Sequence, residues 1–407
     1  MLTIAIIGKT NTGKTTLFNA ATLLNAKISN FPFTTKKPNI GTAYVCDICV
    51  CRELGVEDNP LNSACIDGWR YVPVKLIDVP GLVKDAWKGR GLGNQFLSAI
   101  GQADALIHVV DASGSIDGDG RITQPGSGNP VSDAMDIETE IYRWIADIID
   151  RNKDSIIHES VSSSLAEAIA KSLSALKMHP SQTLQAIEKA ELTKVPFKKW
   201  TLDQTIKFAA YLLPIIKPSI IIANKMDIAT ADKYYEVLTK YYGRRLVAAS
   251  SAEAELILRR AEKKGLLQYT PGQEKFRIRE NAKLTPKQQA ALNYIEKRVM
   301  GKWFNTGIQQ ALNTVVFKLL KNNMVYPVSD EQTFTDHHAN VLPDVHLMSD
   351  GTTPFDLAKS IHSSLAENYI LAIDAKTGIR LPKDYNLRHK DVIKIVTRPK
   401  AKKKPKR

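Results

Sequence analysis

Near its start the chain contains a candidate phosphate-binding loop, Gly8-Lys9-Thr10-Asn11-Thr12-Gly13-Lys14-Thr15. Its spacing is Gly-x4-Gly-Lys-Thr, and it lies between an apolar run that predicts a strand and a stretch that predicts a helix. In such a loop backbone N–H groups surround a phosphate, Lys14 reaches the β- and γ-phosphates, and the Thr15 hydroxyl can ligate Mg²⁺. The residues expected to contact the nucleotide here are Gly8, Asn11, Thr12, Gly13, Lys14, Thr15 and Thr16.

Two further segments could complete the site around the Mg²⁺ ion and the γ-phosphate. Asp78-Val79-Pro80-Gly81 ends a predicted strand, so the Asp78 carboxylate could hold Mg²⁺ through water and the Gly81 N–H could meet the γ-phosphate. The loop 30–41 lies where a nucleotide-sensing loop belongs, and it offers the hydroxyls of Thr34 and Thr35. We predict Thr35 as the Mg²⁺ ligand, ahead of Thr34. The predicted catalytic residues are Lys14, Thr35 and Gly81.

A third pattern, Asn224-Lys225-Met226-Asp227, could distinguish guanine from adenine. The Asp227 carboxylate can accept hydrogen bonds from guanine N1–H and the 2-amino group, Lys225 can lie across the base, and Asn224 can tie this loop to the phosphate-binding loop. Adenine would leave the carboxylate partly unpaired, and an unmatched buried polar group costs about 1–3 kcal/mol. The backbone of Ser251-Ala252 is predicted to contact guanine O6. Together the motifs indicate a site for GTP or GDP with Mg²⁺.

These motifs require an α/β protein in which loops at the carboxyl ends of parallel strands hold the ligand. We predict a doubly wound, Ras-like P-loop sheet with an inserted helical hairpin and a C-terminal β-grasp domain. A length of 407 residues also favours several domains. The predicted divisions are a nucleotide-binding domain with appended helices (1–128 and 201–324), an inserted helical domain (129–200), the C-terminal domain (325–398) and a disordered basic tail (399–407).

The four cysteines lie within twenty residues of sequence, at Cys46, Cys49, Cys51 and Cys65. Four thiolates so close together could hold a structural zinc ion. Cys-x2-Cys-x-Cys is not the paired Cys-x2-Cys of a zinc knuckle, however, and a reducing cytosol argues against disulfides. Of these two interpretations we favour reduced, metal-free thiols in a loop and hairpin inserted between strands.

The charge of the chain favours a polyanionic partner. Its formal net charge is +14, and part of this excess lies in the terminal run Lys400-Ala401-Lys402-Lys403-Lys404-Pro405-Lys406-Arg407. A run this charged does not pack into a core and predicts a disordered tail. The positive charge in the rest of the chain favours RNA as a partner. The apolar stretch 211–223 is interrupted by Pro214, Lys217 and Pro218, so we expect no membrane span and a cytoplasmic protein.

In its motifs the chain resembles the Obg-related GTPases and, among them, the YchF-like branch. The matching runs, besides the nucleotide motifs, are Asn30-Phe31-Pro32-Phe33-Thr34-Thr35 with Pro38-Asn39-Ile40-Gly41, then Asp78-Val79-Pro80-Gly81-Leu82-Val83, and Gly89-x-Gly91-Leu92-Gly93-Asn94-Gln95-Phe96-Leu97. Members that use ATP typically have Glu in place of Asp227, so the resemblance implies the guanine-specific archaeal or eukaryotic type. From Val325 onward the predicted elements look like a TGS domain, and in this family such domains are thought to contact RNA or other partners.

The resemblance implies a GTPase switch associated with ribosomes or translation. Slow intrinsic turnover is expected, because Leu82 stands where Ras-type enzymes have the glutamine that orients water. Asn11 stands where potassium-stimulated relatives place a ligand for K⁺, which could supply positive charge to the phosphates. Alternatively, Asn11 hydrogen-bonds the nucleotide-sensing loop, 30–41. The competing functional hypothesis is a nucleotide-gated RNA-binding scaffold with negligible hydrolysis.

Overall fold

The structure is a computed structural model that describes residues 1–24, 26, 38–81 and 98–398. The chain divides into two compact units, of which the first consists of Met1–Ala43 and Val74–Val315 and the second of Tyr44–Pro73 and Val316–Arg407. The predicted basic tail, 399–407, lies outside the described residues.

The first unit is built on a mainly parallel sheet. The strands of this sheet are β1 (Thr3–Ile7), β2 (Asn39–Ile48), β4 (Trp69–Asp78), β5 (Ala105–Asp111), β6 (Ser219–Asn224) and β7 (Val247–Ala249). The end of β2 and the start of β4 fall within Tyr44–Pro73, which is assigned to the second unit. The strand order is β2-β4-β1-β5-β6-β7, and β1–β4, β1–β5, β5–β6 and β6–β7 all pair in parallel. Every residue of β1 and β5 is buried, as expected for strands whose two faces are both covered. The predicted doubly wound P-loop sheet is therefore confirmed.

Helices cover this sheet. Those of the first unit are Lys14–Thr22, Pro130–Arg151, Lys153–Glu159, Leu165–Ser172, Pro180–Lys189, Leu202–Ile216, Ala231–Tyr242, Ala252–Lys263, Pro286–Tyr294, Gly301–Trp303 and Ile308–Asn313, with residues 98–102 also helical. Short 3-10 helices occupy Ser174–Leu176, Phe197–Lys199 and Arg244–Leu246, and π-helices occupy Ile295–Met300 and Thr314–Leu319. A separate antiparallel pair is formed by β8 (Leu267–Gln268) and β9 (Arg277–Ile278). Among the described residues, no helix combines the length and apolar character needed to cross a bilayer.

The helical insert between residues 129 and 200 is present, with four α-helices where the apolar stripes predicted a hairpin of two. Its long first helix buries Ile137, Ile141 and Ile145 in the same core as Ala5 of β1 and Leu106 of β5. Because this apolar face packs on the sheet, the insert belongs to the first unit and is not a compact unit of its own. The predicted boundary at 129–200 therefore differs from the observed division.

The second unit contains a smaller mixed sheet. This sheet consists of β10 (Asn322–Val328), β11 (His346–Ser349), β12 (Tyr369–Asp374), β13 (Ile379–Arg380) and β14 (Val392–Thr397), and the helices of the unit are Val50–Leu54, Pro354–Ile361 and Ser363–Glu367. The short strand β3 (Ala64–Ile66) also lies in this unit, but it pairs antiparallel with β4. The order is β11-β10-β14-β12-β13, with β10 and β14 parallel at the centre. Leu357 of the helix Pro354–Ile361 packs in one core with Val325, Ala372 and Ile393 of the sheet. This arrangement is the predicted β-grasp domain.

Residues 44–73 belong to the second unit, whereas the sequence prediction placed them in the nucleotide-binding domain. The reason is a set of long-range hydrogen bonds within this unit. The side chain of Asn62 donates to the Val345 carbonyl and accepts from its N–H, both at 3.0 Å. The backbone N–H of Asn59 donates to the Val341 carbonyl at 2.8 Å. Segment 44–73 is thus an extension of the β-grasp domain.

Candidate nucleotide-binding site

The loop between β1 and the helix Lys14–Thr22 has a backbone that requires glycine at two positions. Gly8 and Gly13 adopt φ values of +144° and +95°, which side chains disfavour. A Cβ atom would overlap the Val109 carbonyl at Gly8 and the Asn224 amide nitrogen at Gly13. The helix that starts at Lys14 has first-turn N–H groups with no intrahelical partner, which makes its end suitable for an anion.

Lys14 is held inside this loop. Its ammonium donates a hydrogen bond to the Lys9 carbonyl at 2.6 Å, and its side chain is buried. Burial lowers the pKa of Lys14 to about 8, an effect that the negative charge of Asp78 partly opposes. A phosphate bound at the loop would therefore stabilise a cation that burial disfavours.

Thr15 and Asp78, the described members of the predicted Mg²⁺ site, are in contact. The Thr15 hydroxyl donates to Asp78 Oδ2 at 2.9 Å, and the Asn39 amide donates to the same oxygen at 3.1 Å. Asp78 Oδ1 is buried and accepts no hydrogen bond within the described residues. Burial raises the pKa of Asp78, and the neighbouring Lys14 lowers it. A buried carboxylate oxygen with no donor beside a hydroxyl fits a hard divalent cation such as Mg²⁺.

Gly81 approaches the phosphate-binding loop closely. A Cβ atom at this position would lie 2.7 Å from the Thr10 methyl carbon and 3.1 Å from Lys14 Nζ. The backbone of Gly81 therefore lies beside the ammonium expected at the γ-phosphate. Thr34, Thr35 and Leu82 lie outside the described residues, so the role assigned to Thr35 stays a prediction.

Asn224 joins the phosphate-binding loop to the candidate base-binding loops. Its amide nitrogen donates to the Thr12 carbonyl at 2.9 Å, and its amide oxygen accepts from the Ala252 N–H at 3.0 Å. The side chain is almost completely buried. Three segments that are far apart in sequence are thereby held by one side chain, which is the role that the sequence pattern assigned to it.

Lys225 and Asp227 are each fixed by neighbours. Lys225 donates to Asp111 Oδ2 at 2.8 Å and to the Ser115 hydroxyl at 3.1 Å. Asp227 Oδ1 accepts a hydrogen bond from the Ser251 hydroxyl at 2.7 Å. Because an ionised carboxylate can accept about four hydrogen bonds, Asp227 keeps acceptor capacity for a guanine base.

Several contacting residues were not predicted from the sequence. Asn39 supports Asp78, and Asp111 anchors Lys225. The Lys9 ammonium forms a buried ion pair with Asp133 at 2.7 Å. Asn11 donates to the Gly120 carbonyl at 2.9 Å, a contact that neither of its two predicted roles included. Asp111 could have been found, because it ends a buried strand next to the motif strands. Asp133 and Gly120 carry no sequence signal.

The remaining predicted nucleotide contacts lie in the same region. Thr16 is half-buried in the first turn of the helix Lys14–Thr22. Ser251 and Ala252 are buried where the helix Ala252–Lys263 begins, and the Ser251 hydroxyl also accepts from the Ala254 N–H. The structure thus brings every described predicted site residue to the ends of β1, β4, β6 and β7 or to the loops and helix starts that follow them.

A doubly wound sheet with these three motifs after its strands defines a P-loop GTPase. The family described as "50S ribosome-binding GTPase" matches residues 3–155. The family described as "Obg-like GTPase YGR210-like, G4 motif-containing domain" matches residues 222–330, and the TGS domain matches residues 339–397.

Similar proteins extend these matches to the whole chain. The "Uncharacterized GTP-binding protein MJ1332" of Methanocaldococcus jannaschii is 43% identical over 398 residues, which are 98% of this chain and 99% of that protein. A crystal structure of a GTP binding protein from Pyrococcus horikoshii OT3 aligns with a TM-score of 0.77 at 35% identity, covering 98% of this chain and 100% of the other. The "Ribosome-binding ATPase YchF" of Bacillus subtilis is 35% identical over 182 residues, 41% of this chain and 46% of that protein. The chain therefore belongs to the YchF-like, Obg-related family of GTP-binding proteins with a C-terminal TGS domain.

Proposed function

We propose that this protein binds GTP and GDP and hydrolyses GTP slowly as a molecular switch. The observation that carries the proposal is the position of Asn224, whose side chain contacts both the phosphate-binding loop and the Ser-Ala turn. The same turn holds the Asp227 carboxylate through Ser251. Recognition of the base and of the phosphates is thereby coupled in one rigid arrangement.

Within this proposal the protein contributes positioning and charge. Lys14 and the Gly81 N–H contact the γ-phosphate, and the phosphate-binding loop surrounds the β-phosphate. Thr15, Asp78 and Thr35 hold Mg²⁺, which when bound offsets the negative charge of the phosphates. We further propose a monovalent cation such as K⁺ near Asn11 as an additional source of positive charge. Leu82 cannot orient water, and for this reason the proposed intrinsic turnover is slow.

We also propose that the switch acts on ribosomes or other structured RNA, in the cytoplasm. Support comes from the family description "50S ribosome-binding GTPase" and from the ribosome-binding name of the Bacillus subtilis relative. The net charge of +14 suits a polyanionic partner. The TGS domain and the basic tail, 399–407, are the proposed contact regions.

Guanine specificity is tested by competition against fluorescent GDP. GTP should compete well and ATP poorly, and Asp227→Asn should weaken GDP binding because the amide presents a donor to a donor. The variant loses the hydrogen bond from the 2-amino group, and at about 1.5–3 kcal/mol for a hydrogen bond to a charged group the loss of affinity is about tenfold to 150-fold. Xanthosine diphosphate, with a carbonyl in place of the 2-amino group, should bind the variant better than GDP. Asp203→Asn, an exposed position at the start of the helix Leu202–Ile216, is the control. Equal competition by ATP and GTP against the native protein would contradict the assignment.

The switch and scaffold hypotheses differ in turnover. Ribosomes should co-sediment more of the protein with a non-hydrolysable GTP analogue than with GDP, and they should accelerate GTP hydrolysis. Nucleotide-dependent binding with no acceleration would instead favour the scaffold.

A further inference from the structure

Three cysteines and one aspartate converge inside the second unit. The ligand atoms of Cys49, Cys51, Asp58 and Cys65 all lie within 4.8 Å of one another. The Cys49 sulfur is 3.2 Å from Asp58 Oδ2, and the Cys51 and Cys65 sulfurs are 3.9 Å apart. A tetrahedral zinc ion with bonds of about 2.3 Å to sulfur and 2.0 Å to oxygen has edges of about 3.8 Å between sulfurs and 3.5 Å between sulfur and oxygen. The cluster therefore has the size of a tetrahedral zinc site.

The four groups come from three different local structures. Cys49 precedes the helix Val50–Leu54 and Cys51 lies within it, while Cys65 lies on β3. Gly55 ends the helix with a φ of +65°, and the chain then turns toward Asp58. The Cys49 N–H donates to the Gly68 carbonyl at 2.9 Å, which fixes the helix start against the turn after β3. Side chains from separate elements that converge on one point are typical of a metal site. The short distances between the cysteines in the sequence would not by themselves bring these four groups together.

A second, independent observation concerns two buried donors beside this cluster. Arg70 and Tyr326 are both fully buried, and the Arg70 guanidinium carbon lies 5.3 Å from the centre of the Tyr326 ring. Arg70 Nη2 contacts Asp58 Oδ2 at 3.0 Å. Within the described residues, Arg70 Nε and Tyr326 Oη make no hydrogen bond. Cys49 lies close to the Tyr326 hydroxyl.

These donors suit a cluster of thiolates. Three thiolates and one carboxylate around Zn²⁺ carry a net charge of −2, which a buried guanidinium partly offsets. Donors aimed at the ligand atoms of a metal orient those ligands and tune the metal. Without negatively charged sulfurs nearby, the Arg70 Nε–H and Tyr326 Oη–H groups would be buried with no acceptor, and nothing would offset the free-energy cost of removing them from water.

A disulfide between Cys51 and Cys65 explains less of the geometry of this cluster than a zinc ion does. The 3.9 Å separation of their sulfurs is well above the roughly 2.0 Å of an S–S bond. It would also leave unexplained why the Cys49 sulfur and the Asp58 carboxylate lie within 4.8 Å of both other sulfurs. The sequence prediction of metal-free thiols considered cysteines alone, whereas the fourth ligand, Asp58, becomes visible only in three dimensions.

We propose that Cys49, Cys51, Asp58 and Cys65 bind one structural Zn²⁺ ion. Four protein ligands leave no open position for substrate or water, so the site is structural and not catalytic. Asp58 contacts Arg70, whose Nη2 also donates to the Leu342 carbonyl at 2.7 Å. The zinc ion thus stabilises segment 44–73 on the β-grasp domain to which it belongs.

Metal analysis of the full chain, purified without chelator, tests this proposal. We expect one zinc per chain in the native protein and in Cys46→Ser, since Cys46 on β2 is outside the four-ligand group. Cys51→Ser and Cys65→Ser should reduce the zinc content to near zero. Asp58→Asn should leave three thiolates and let a chelator remove zinc faster. Replacement by Co²⁺ should give thiolate-to-cobalt charge-transfer bands and tetrahedral d–d bands that Cys51→Ser lacks.

GDP titration of each variant shows whether the first unit, which contains the candidate nucleotide site, remains folded when a zinc ligand is replaced. Variants that bind GDP normally yet lack zinc support the site. Three results would overturn it: no zinc after reconstitution of the reduced native protein, full zinc retention in a Cys51→Ser and Cys65→Ser double variant, or a Cys51–Cys65 disulfide in the protein as isolated.

Discussion

The Asn224 side chain offers the sharpest test of how the nucleotide site is held together. Asn224→Ala removes the hydrogen bonds to the Thr12 carbonyl and from the Ala252 N–H. Thr12, Asn224 and Ala252 are all at most 2% exposed, so both backbone groups lose their partner away from water. At about 1–3 kcal/mol for each unsatisfied buried group, the free energy of unfolding of the first unit should fall by about 2–6 kcal/mol.

Urea unfolding and GDP titration measure the two consequences. The midpoint of unfolding should fall, and GDP affinity should fall because the phosphate and base loops are no longer joined. Asn152→Ala is the matched control, since the Asn152 side-chain amide donates an exposed hydrogen bond to the Ile148 carbonyl at a helix end. Its effect should stay within about 0.5 kcal/mol.

A double-mutant cycle with Gly13 examines the same contact from the other side. Gly13→Ala places a methyl group on the Asn224 amide and also strains a residue at φ +95°. In the Asn224→Ala background only the strain remains, so Gly13→Ala should be less harmful there. Strict additivity of the two substitutions, or an Asn224→Ala protein as stable and as tightly GDP-binding as the control, would refute the reasoning.

Two further predictions concern charge at the phosphates. Because burial lowers the pKa of Lys14 to about 8 and a phosphate favours the ammonium, GDP binding should take up a proton above that pH, and affinity should fall by up to about tenfold per pH unit. Calorimetry in buffers of different ionisation enthalpy measures this proton uptake, and Lys14→Met should abolish it. A GDP affinity that does not change from pH 8 to 10 would contradict the prediction. If K⁺ binds near Asn11, GTP hydrolysis should be faster in KCl than in NaCl at equal ionic strength, and Asn11→Ala should remove the difference. Identical rates in the two salts, with and without ribosomes, would leave the partner as the source of the missing charge.

The sequence was sufficient where function depends on short spacing. Glycines at Gly8 and Gly13, the hydroxyl of Thr15 and the amide of Asn224 were assigned from motifs alone, and the structure brings these residues together. This works because a phosphate-binding loop is local: one strand, one turn and one helix end define its geometry. The β-grasp domain was predictable for a similar reason, since alternating strands and a capped helix are local patterns.

What the sequence did not show depends on contacts between distant residues. The grouping of segment 44–73 with the β-grasp domain depends on hydrogen bonds such as Asn62 to Val345, 283 residues apart. Asp58 is one of many acidic residues in the sequence, and only its approach to Cys49 gives it a metal-binding chemistry. Likewise, nothing in the pattern of the insert indicated that Asp133 would contact the phosphate-binding loop.

The phosphate-binding loop therefore has two sets of contacts. Of the residues that the motif specifies, Lys14 donates to the Lys9 carbonyl and Thr15 donates to Asp78. The residues that the motif leaves variable face the protein: Lys9 pairs with Asp133 on the helix Pro130–Arg151, and Asn11 holds the Gly120 carbonyl. Removing one partner of a buried ion pair typically costs about 3–5 kcal/mol, although the pair itself adds little net stability. The Lys9–Asp133 pair is therefore better explained as fixing the position of the helical insert relative to the loop. The variable positions of the motif attach the loop to this particular fold, and the fixed positions give it its chemistry.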